Sequence, residues 1–431
     1  MVWVYAEFFY QSFNRMKIIT WTAFLFFISN HFYAQSQMLK AGAFAVNITP
    51  SRPVPLSGYA GRAQPSTGVH DSIYARAFVF DDGQTRACLI QADLIGFSFE
   101  FADEINQEVE KNTGIPKQNS FLVAAHNHGA PSTRAYGESA TENLALYLSE
   151  LKSKLVDAAV RAWGSRVPVN TAYGEGSCRM NINRRARHSE GGIWLGRNPD
   201  GPCDHTVGVL RLDNMNGETI ALLVNWPCHA TVNGQENSLV TGDWPGSTVR
   251  YLEKNYKAGI PIGMFAGASG DINPVYGPHK NFGEMDAIGL ILGEEIVKIT
   301  SALSPQPAGK LAVLSQELTL PGKQRSTGRM MPNESLLPGD SVKLRLSVIK
   351  IGTLALTGIS GELMTEIGME IKNNSPFRQT QVITHCNGNS GYLCTDAAYR
   401  EGGYEPMVSR TMPGIGRIIV DKIVKMLNSL Y

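Results

Sequence analysis

The residues whose types and spacing could do chemistry are histidines and a carboxylate placed just after apolar runs. His126 and His128, one residue apart, close the run 120–125. Alternate residues of an extended segment point the same way, so both imidazoles can share a site. His229 follows a second run, 218–226, after Pro227 and Cys228. A catalytic zinc takes about three or four N, O or S ligands and keeps one position open. Two histidines and one carboxylate make such a set. Glu362, after the turn Gly358-Ile359-Ser360-Gly361, is the candidate carboxylate. Plainer readings stand beside this one. The histidines can be hydrogen-bonded in polar loops, and Glu362 can sit in a first helical turn, where its charge complements the helix dipole.

Other groups extend the candidate site. Asp243 and Asp271 lie in glycine-flanked turns. Each can cap a helix or fix the second nitrogen of a ligating histidine. Arg184 and Arg185 follow Asn181-Ile182-Asn183 and are either a solvated pair or an active-site contact for a carbonyl or carboxylate. Tyr392, Tyr399 and Tyr404 cluster with Gly391, Gly402 and Gly403. Packing is the default for them, although a phenol can also ligate or polarise a centre.

The elements that must position these residues alternate along the chain. Strands are expected over 40–48, 75–80, 87–92, 120–125, 218–226, 262–265 and 381–384, with a hairpin over 342–357. Helices are expected over 99–111 (stopped by Gly114), 142–163, 285–303, from Pro245 through Leu252, and onward from Glu362. Residues 177–204, rich in Arg, Asn, Gly and His, read as a long working loop. Pro and Gly near 306–334 mark either a domain boundary or an insertion. This alternation predicts an α/β fold with a mixed central sheet and flanking helices. His126, His229, Gly270-Asp271 and Glu362 would lie at the end of the strands where ligand sites collect.

Bulk properties narrow the function classes. Of 431 residues, 43% are hydrophobic and 18% charged, a balance that argues for a folded chain rather than a disordered one. The formal net charge of +1 gives no basic excess, so no nucleic-acid partner is expected. Residues 16–34 have the pattern of a secretory signal: Arg15 and Lys17, an apolar run from 18 to 28, then Ala34-Gln35 at a plausible cut. Residues 1–34 are therefore read as an upstream extension and signal, 35–431 as the working domain, and the location as secreted or periplasmic. An uncleaved anchor or a buried helix is the alternative. Six cysteines, with no CxxC pair, leave three bridges or free thiols open.

Several of these segments resemble the N-terminal catalytic domain of neutral/alkaline non-lysosomal ceramidases. They are Ala41-Gly42 to Thr49-Pro50, AHNHGAP from Ala125, MNINR from Met180, 225–229, 267–274, 358–368 and GYLCTDAAYREGGYE from Gly391. Together they run from about residue 40 to 410. The resemblance implies that His126, His229, Glu362 and Tyr392 bind zinc and that His128 sits beside the water. It implies that Arg184 and Tyr404 contact or polarise an amide. Asp271 and Asn273 belong to the same catalytic block. The implied activity is hydrolysis of an N-acyl bond, as in ceramide, with an N-acylated small molecule or lipid as substrate and transient contact with a membrane surface. The family has a Ser within its Gly-Asp-Val-Ser-Pro block, where this chain has Asn273; a zinc-water mechanism survives that change and a covalent serine one does not. Full-length members continue into a C-terminal sandwich domain, and the resemblance, which ends at about residue 410, leads us to expect none in this chain. Two other functions compete: hydrolysis of a different amide or ester within the superfamily, and non-catalytic binding by an exported protein.

Overall fold

The computed structural model describes residues 38–62, 64–134, 140–256, 259–326, 328 and 330–431. The candidate signal, 16–34, lies outside them. Leu39–Tyr431 form one compact unit. Its central sheet runs in the order Ile262–Ala266, Thr219–Trp226, Thr206–Asn214, Val167–Ser177, Lys40–Asn47, Tyr74–Asp81, Arg86–Ala92 and Ser120–Ala124, with Gln306–Pro307 added beside Val167–Ser177. The two outermost pairs are parallel and the rest are antiparallel. The sheet is therefore mixed, as expected.

Side-chain alternation explains the layers. In Tyr74–Asp81, Ala75, Ala77 and Val79 pack toward the helices Phe99–Thr113 and Glu142–Gly164. Phe78 and Phe80 point the other way, into a core shared with Ile349, Leu356 and Ile383. Those three belong to a second sheet, in the order Leu311–Lys323, Pro338–Ile351, Leu354–Ile359 and Gln379–Ile383. Strands apolar on both faces need cover on both. The second sheet buries its other face, including Leu344, Leu346 and Ala355, under Thr365–Asn374 and Ile415–Leu430. Asp243–Leu252 and Phe282–Ser301 cover the remaining part of the central sheet. The result is helix, sheet, sheet, helix. Among the described residues no helix is long and apolar enough to cross a membrane.

Strand ends meet to build the site. His128 N donates to Ala230 O at 3.2 Å, tying the segment after Ser120–Ala124 to the segment after Thr219–Trp226. Thr384 N donates to Ala266 O at 3.0 Å, and Asn225 Nδ2 to Val382 O at 2.9 Å, which joins the second sheet to the first.

Two expectations need correction, and one open choice is settled. Residues 177–204 are not a loop: Asn181–Arg187 pairs with Ile193–Asn198 and with Ile272–Pro274. The hydropathy pattern hides this because most of the buried residues there are polar: Asn181, Asn183, Arg184 and Arg185. Of the two readings of residues 306–334, the insertion within one domain holds: they lie inside the single unit, and Leu311–Lys323 pairs along most of its length with Pro338–Ile351. Glu362 does not open a helix. Glu362–Leu363 is a short strand, and the helix starts at Thr365.

Candidate metal centre

His126 and His229 are held in matching ways. His126 Nδ1 donates to Ile95 O at 2.9 Å and His229 Nδ1 to Ile272 O at 3.0 Å. A carbonyl can only accept, so each Nδ1 carries the proton and each Nε2 offers a lone pair. Both rings are buried. Burial, aided by Arg184 and His126, pushes His229 down to about 4, which keeps it neutral.

Glu362 Oε2 lies 3.4 Å from each of these Nε2 atoms, buried and without a hydrogen-bond partner. Burial works against its charge, but His126 and His229 outweigh it and hold the carboxyl well below the usual range. The short strand pairing sets Glu362 directly beside Tyr392 in register. The Tyr392 hydroxyl accepts from Arg184 Nη2 at 3.0 Å. Burial raises this phenol well above its ordinary value, and Arg184 opposes that rise.

Two lone-pair imidazoles and an orphaned carboxylate oxygen, all facing one point, fit a divalent cation. The carbonyls behind the rings orient them as outer-sphere partners of metal ligands do. His126, His128 and His229 also offer nitrogens within 4.8 Å of one another, so a third imidazole adjoins the centre. His128 Nε2 is 3.2 Å from His126 Nε2. Burial, with His126 and His229 alongside, keeps His128 well below the usual imidazole value.

Arg184 and Arg185 are a buried pair, not a solvated one. Arg184 Nε and Arg185 Nη1 each donate to Glu405 at 2.7 Å, one to each carboxylate oxygen. Arg184 Nη1 also reaches His229 Nε2 and Asn273 Oδ1, both at 3.3 Å. Tyr404 lies at the rim, 37% exposed, with its ring 5.8 Å from that of Tyr392.

Asp243 and Asp271 do not carry the histidine nitrogens, which the carbonyls of Ile95 and Ile272 take instead. Asp271 accepts from Thr365 N and Asn183 Nδ2, and burial raises it to about 7. Asp243 accepts from the backbone of Val232, Asn233 and Trp244. Tyr399 bonds Thr411 O at 2.6 Å, a packing role. All six cysteines are free thiols, and Cys228 donates to His229 O rather than facing the centre.

Sequence reading assigned no role to Glu405 or His385. The His385 ring stacks on His126 at 3.9 Å. Both residues hold left-handed backbone, φ 54° and 58°, a conformation that costs a side-chain-bearing residue about 1 kcal/mol or more. The signal available was position: His385 follows the strand Gln379–Ile383 just as His126 follows its own.

The family model for neutral/alkaline non-lysosomal ceramidase, N-terminal, matches residues 41–279. Neutral ceramidase A of Dictyostelium discoideum is 26% identical over 272 residues, which cover 58% of this chain and 37% of that protein. The neutral ceramidase of Mycobacterium tuberculosis is 24% identical over 351 residues, covering 70% of this chain and 53% of that one. The chain thus spans between about a third and about a half of these curated relatives' length. The crystal structure of neutral ceramidase from Pseudomonas aeruginosa shares the fold, with a TM-score of 0.77 at 20% identity over 91% of this chain and 75% of that one. A solved structure described as ceramidase complexed with C2 aligns with the same TM-score at 19% identity.

Proposed function

Because the chain belongs to the neutral/alkaline non-lysosomal ceramidase family, we propose that it is a zinc-dependent hydrolase of an N-acyl amide bond, with ceramide as the first substrate to test. The observation that carries this reading is the convergence of His126 Nε2, His229 Nε2 and the unpartnered Glu362 Oε2. Tyr392, beside Glu362 in register, completes the ligand set. Zinc bound there supplies Lewis acidity, polarising a carbonyl and acidifying water.

The chain's own residues do the rest. His128, neutral and next to His126, takes a proton at a ring nitrogen as water adds to the amide carbon, and returns it to the departing amine. Arg184, fixed by Glu405, holds the Tyr392 oxygen and adds positive charge beside the reacting carbonyl. The Tyr404 hydroxyl, at the rim, donates toward the developing oxyanion. Asp271 is a positioning residue: its backbone carbonyl accepts from Arg184 N at 2.8 Å. Asn273 accepts from Arg184 and helps to aim it.

Asn273, where the resembled family has Ser, favours a second reading: a related amide or ester in place of ceramide. The pattern at 16–34 supports a secreted or periplasmic location, where a lipid substrate would bring the rim into transient contact with a membrane surface. The test is release of fatty acid from a fluorescent short-chain ceramide, with and without a zinc chelator. Chelator-sensitive release supports the ceramide reading. No release by zinc-loaded, folded protein overturns it and favours other amides and esters, or a binding role.

A further inference from the structure

The three histidines of the centre are not held alike. His126 and His229 each anchor Nδ1 on a carbonyl. His128 has no such anchor, for its buried Nδ1 has no hydrogen-bond partner. In the proposed mechanism it is not a zinc ligand either, so no bond to metal fixes its ring. A group that must move a proton at a defined place still needs a defined orientation.

What surrounds His128 is the turn 57–62. A Cβ built on Gly58, whose φ is +99°, would fall 2.4 Å from His128 Nδ1. The Tyr59 ring meets the His128 ring edge-on, centroids 5.3 Å apart, and its hydroxyl donates to Asn233 O at 3.3 Å. Arg62 fastens this turn to the site. Its Nη1 donates to Ser57 O at 2.8 Å and to His128 O at 2.9 Å, and its Nη2 to Gly234 O at 3.0 Å. Its guanidinium also lies 5.0 Å from the centre of the Tyr59 ring. One planar fork therefore joins three segments, one of them the backbone of His128 itself.

We infer that Arg62 is a positioning residue for His128, and that the turn it clamps replaces the hydrogen bond that His128 Nδ1 lacks, with Gly58 required because the imidazole occupies the place of its side chain. This rests on the reading of His128 as the proton-transfer group. Lysine cannot reproduce the clamp, since a single ammonium lacks the rigid fork that reaches separate carbonyls. Gly58→Ala acts from the other side, by pushing the ring.

The experiment compares wild type, Arg62→Ala, Arg62→Lys and Gly58→Ala for zinc content, for kcat and KM on the substrate that wild type cleaves, and for imidazole signals in protein labelled with 15N-histidine. A misplacement of about 1 Å can cost roughly 100-fold in rate. Arg62→Ala and Gly58→Ala are expected to lose about that factor in kcat with KM little changed, Arg62→Lys less. Zinc content should stay at the wild-type level, and only the His128 ring signals should move. Unchanged kcat with unmoved His128 signals overturns the inference, as does parallel loss of zinc and activity, which would make the turn general scaffold. Should Gly58→Ala not fold, the two Arg62 variants decide. If wild type cleaves no amide, the proposed function fails, while the His128 signals still show whether the clamp positions that ring.

Discussion

Glu405→Gln tests how the buried charges support the site. Glu405 is fully buried and takes one 2.7 Å bond from Arg184 and another from Arg185, both themselves only 6% exposed. Gln keeps the shape but removes the charge and turns one acceptor into a donor facing a guanidinium. Leaving a buried ion without its partner costs about 3–5 kcal/mol. Two cations lose their partner here, though Arg185 keeps Glu401 at 3.2 Å and Gly402 O at 3.0 Å. A loss of about 4 kcal/mol is therefore expected from urea unfolding at neutral pH. The pH dependence gives a second check. Burial opposes the Glu405 charge, but Arg184 and Arg185 outweigh it and hold the carboxyl below the glutamate range. A depressed folded value means that the stabilisation is complete above the unfolded value of about 4.3 and is lost as pH falls through the folded one. Wild type should lose this contribution in acid and Glu405→Gln should not. Activity should fall as well, because Arg184 loses its bond at Nε. A variant within about 1 kcal/mol of wild type, with the same acid limb, would refute the reasoning.

Four further outcomes are expected. His229→Ala should lose metal and activity and remain folded; zinc at full occupancy, measured by atomic emission, would remove His229 from the ligand set. Glu362→Gln should weaken zinc binding by at least about tenfold, a loss that competition with a chromophoric chelator measures. Asn273→Ala should keep substantial activity, since Asn273 gives only a 3.3 Å contact to Arg184; complete loss with zinc retained would mean that Asn273 orients water or substrate. Asp271, raised by burial to about 7, keeps its proton in the folded state where the unfolded chain has released it. Its contribution is present in acid and is lost as pH rises from about 4 through 7, at up to about 1.4 kcal/mol per pH unit. Urea unfolding between those limits should show that slope in wild type and not in Asp271→Asn; parallel curves would refute it.

How much was legible in the sequence depended on whether burial and hydrophobicity agreed. The hairpin strands at 75–80 and 87–92 and the helix ending at Gly114 are legible because apolar residues fill the core and because Gly114 takes a left-handed φ of 72°. The α/β class followed from those alternating runs. The same agreement failed at 177–204, where the buried side chains include Arg184, Arg185 and Asn183, held by Glu405 and Asp271. Charge inside a fold is stable only beside its partner, and these partners are 88 to 221 residues away in the chain. No local pattern records such a distance. The sequence by itself named the histidines at strand ends, Glu362 as the candidate carboxylate, and Arg184 and the tyrosines as possible site residues; the resemblance assigned them their expected roles. Only the tertiary structure decided that carbonyls rather than aspartates orient the imidazoles, that Glu362 stands beside Tyr392 in a strand, and that His385 stacks on His126. The physical reason is that the direction of each imidazole is set by hydrogen bonds between segments far apart in sequence, whereas residue type and strand-end position are written locally.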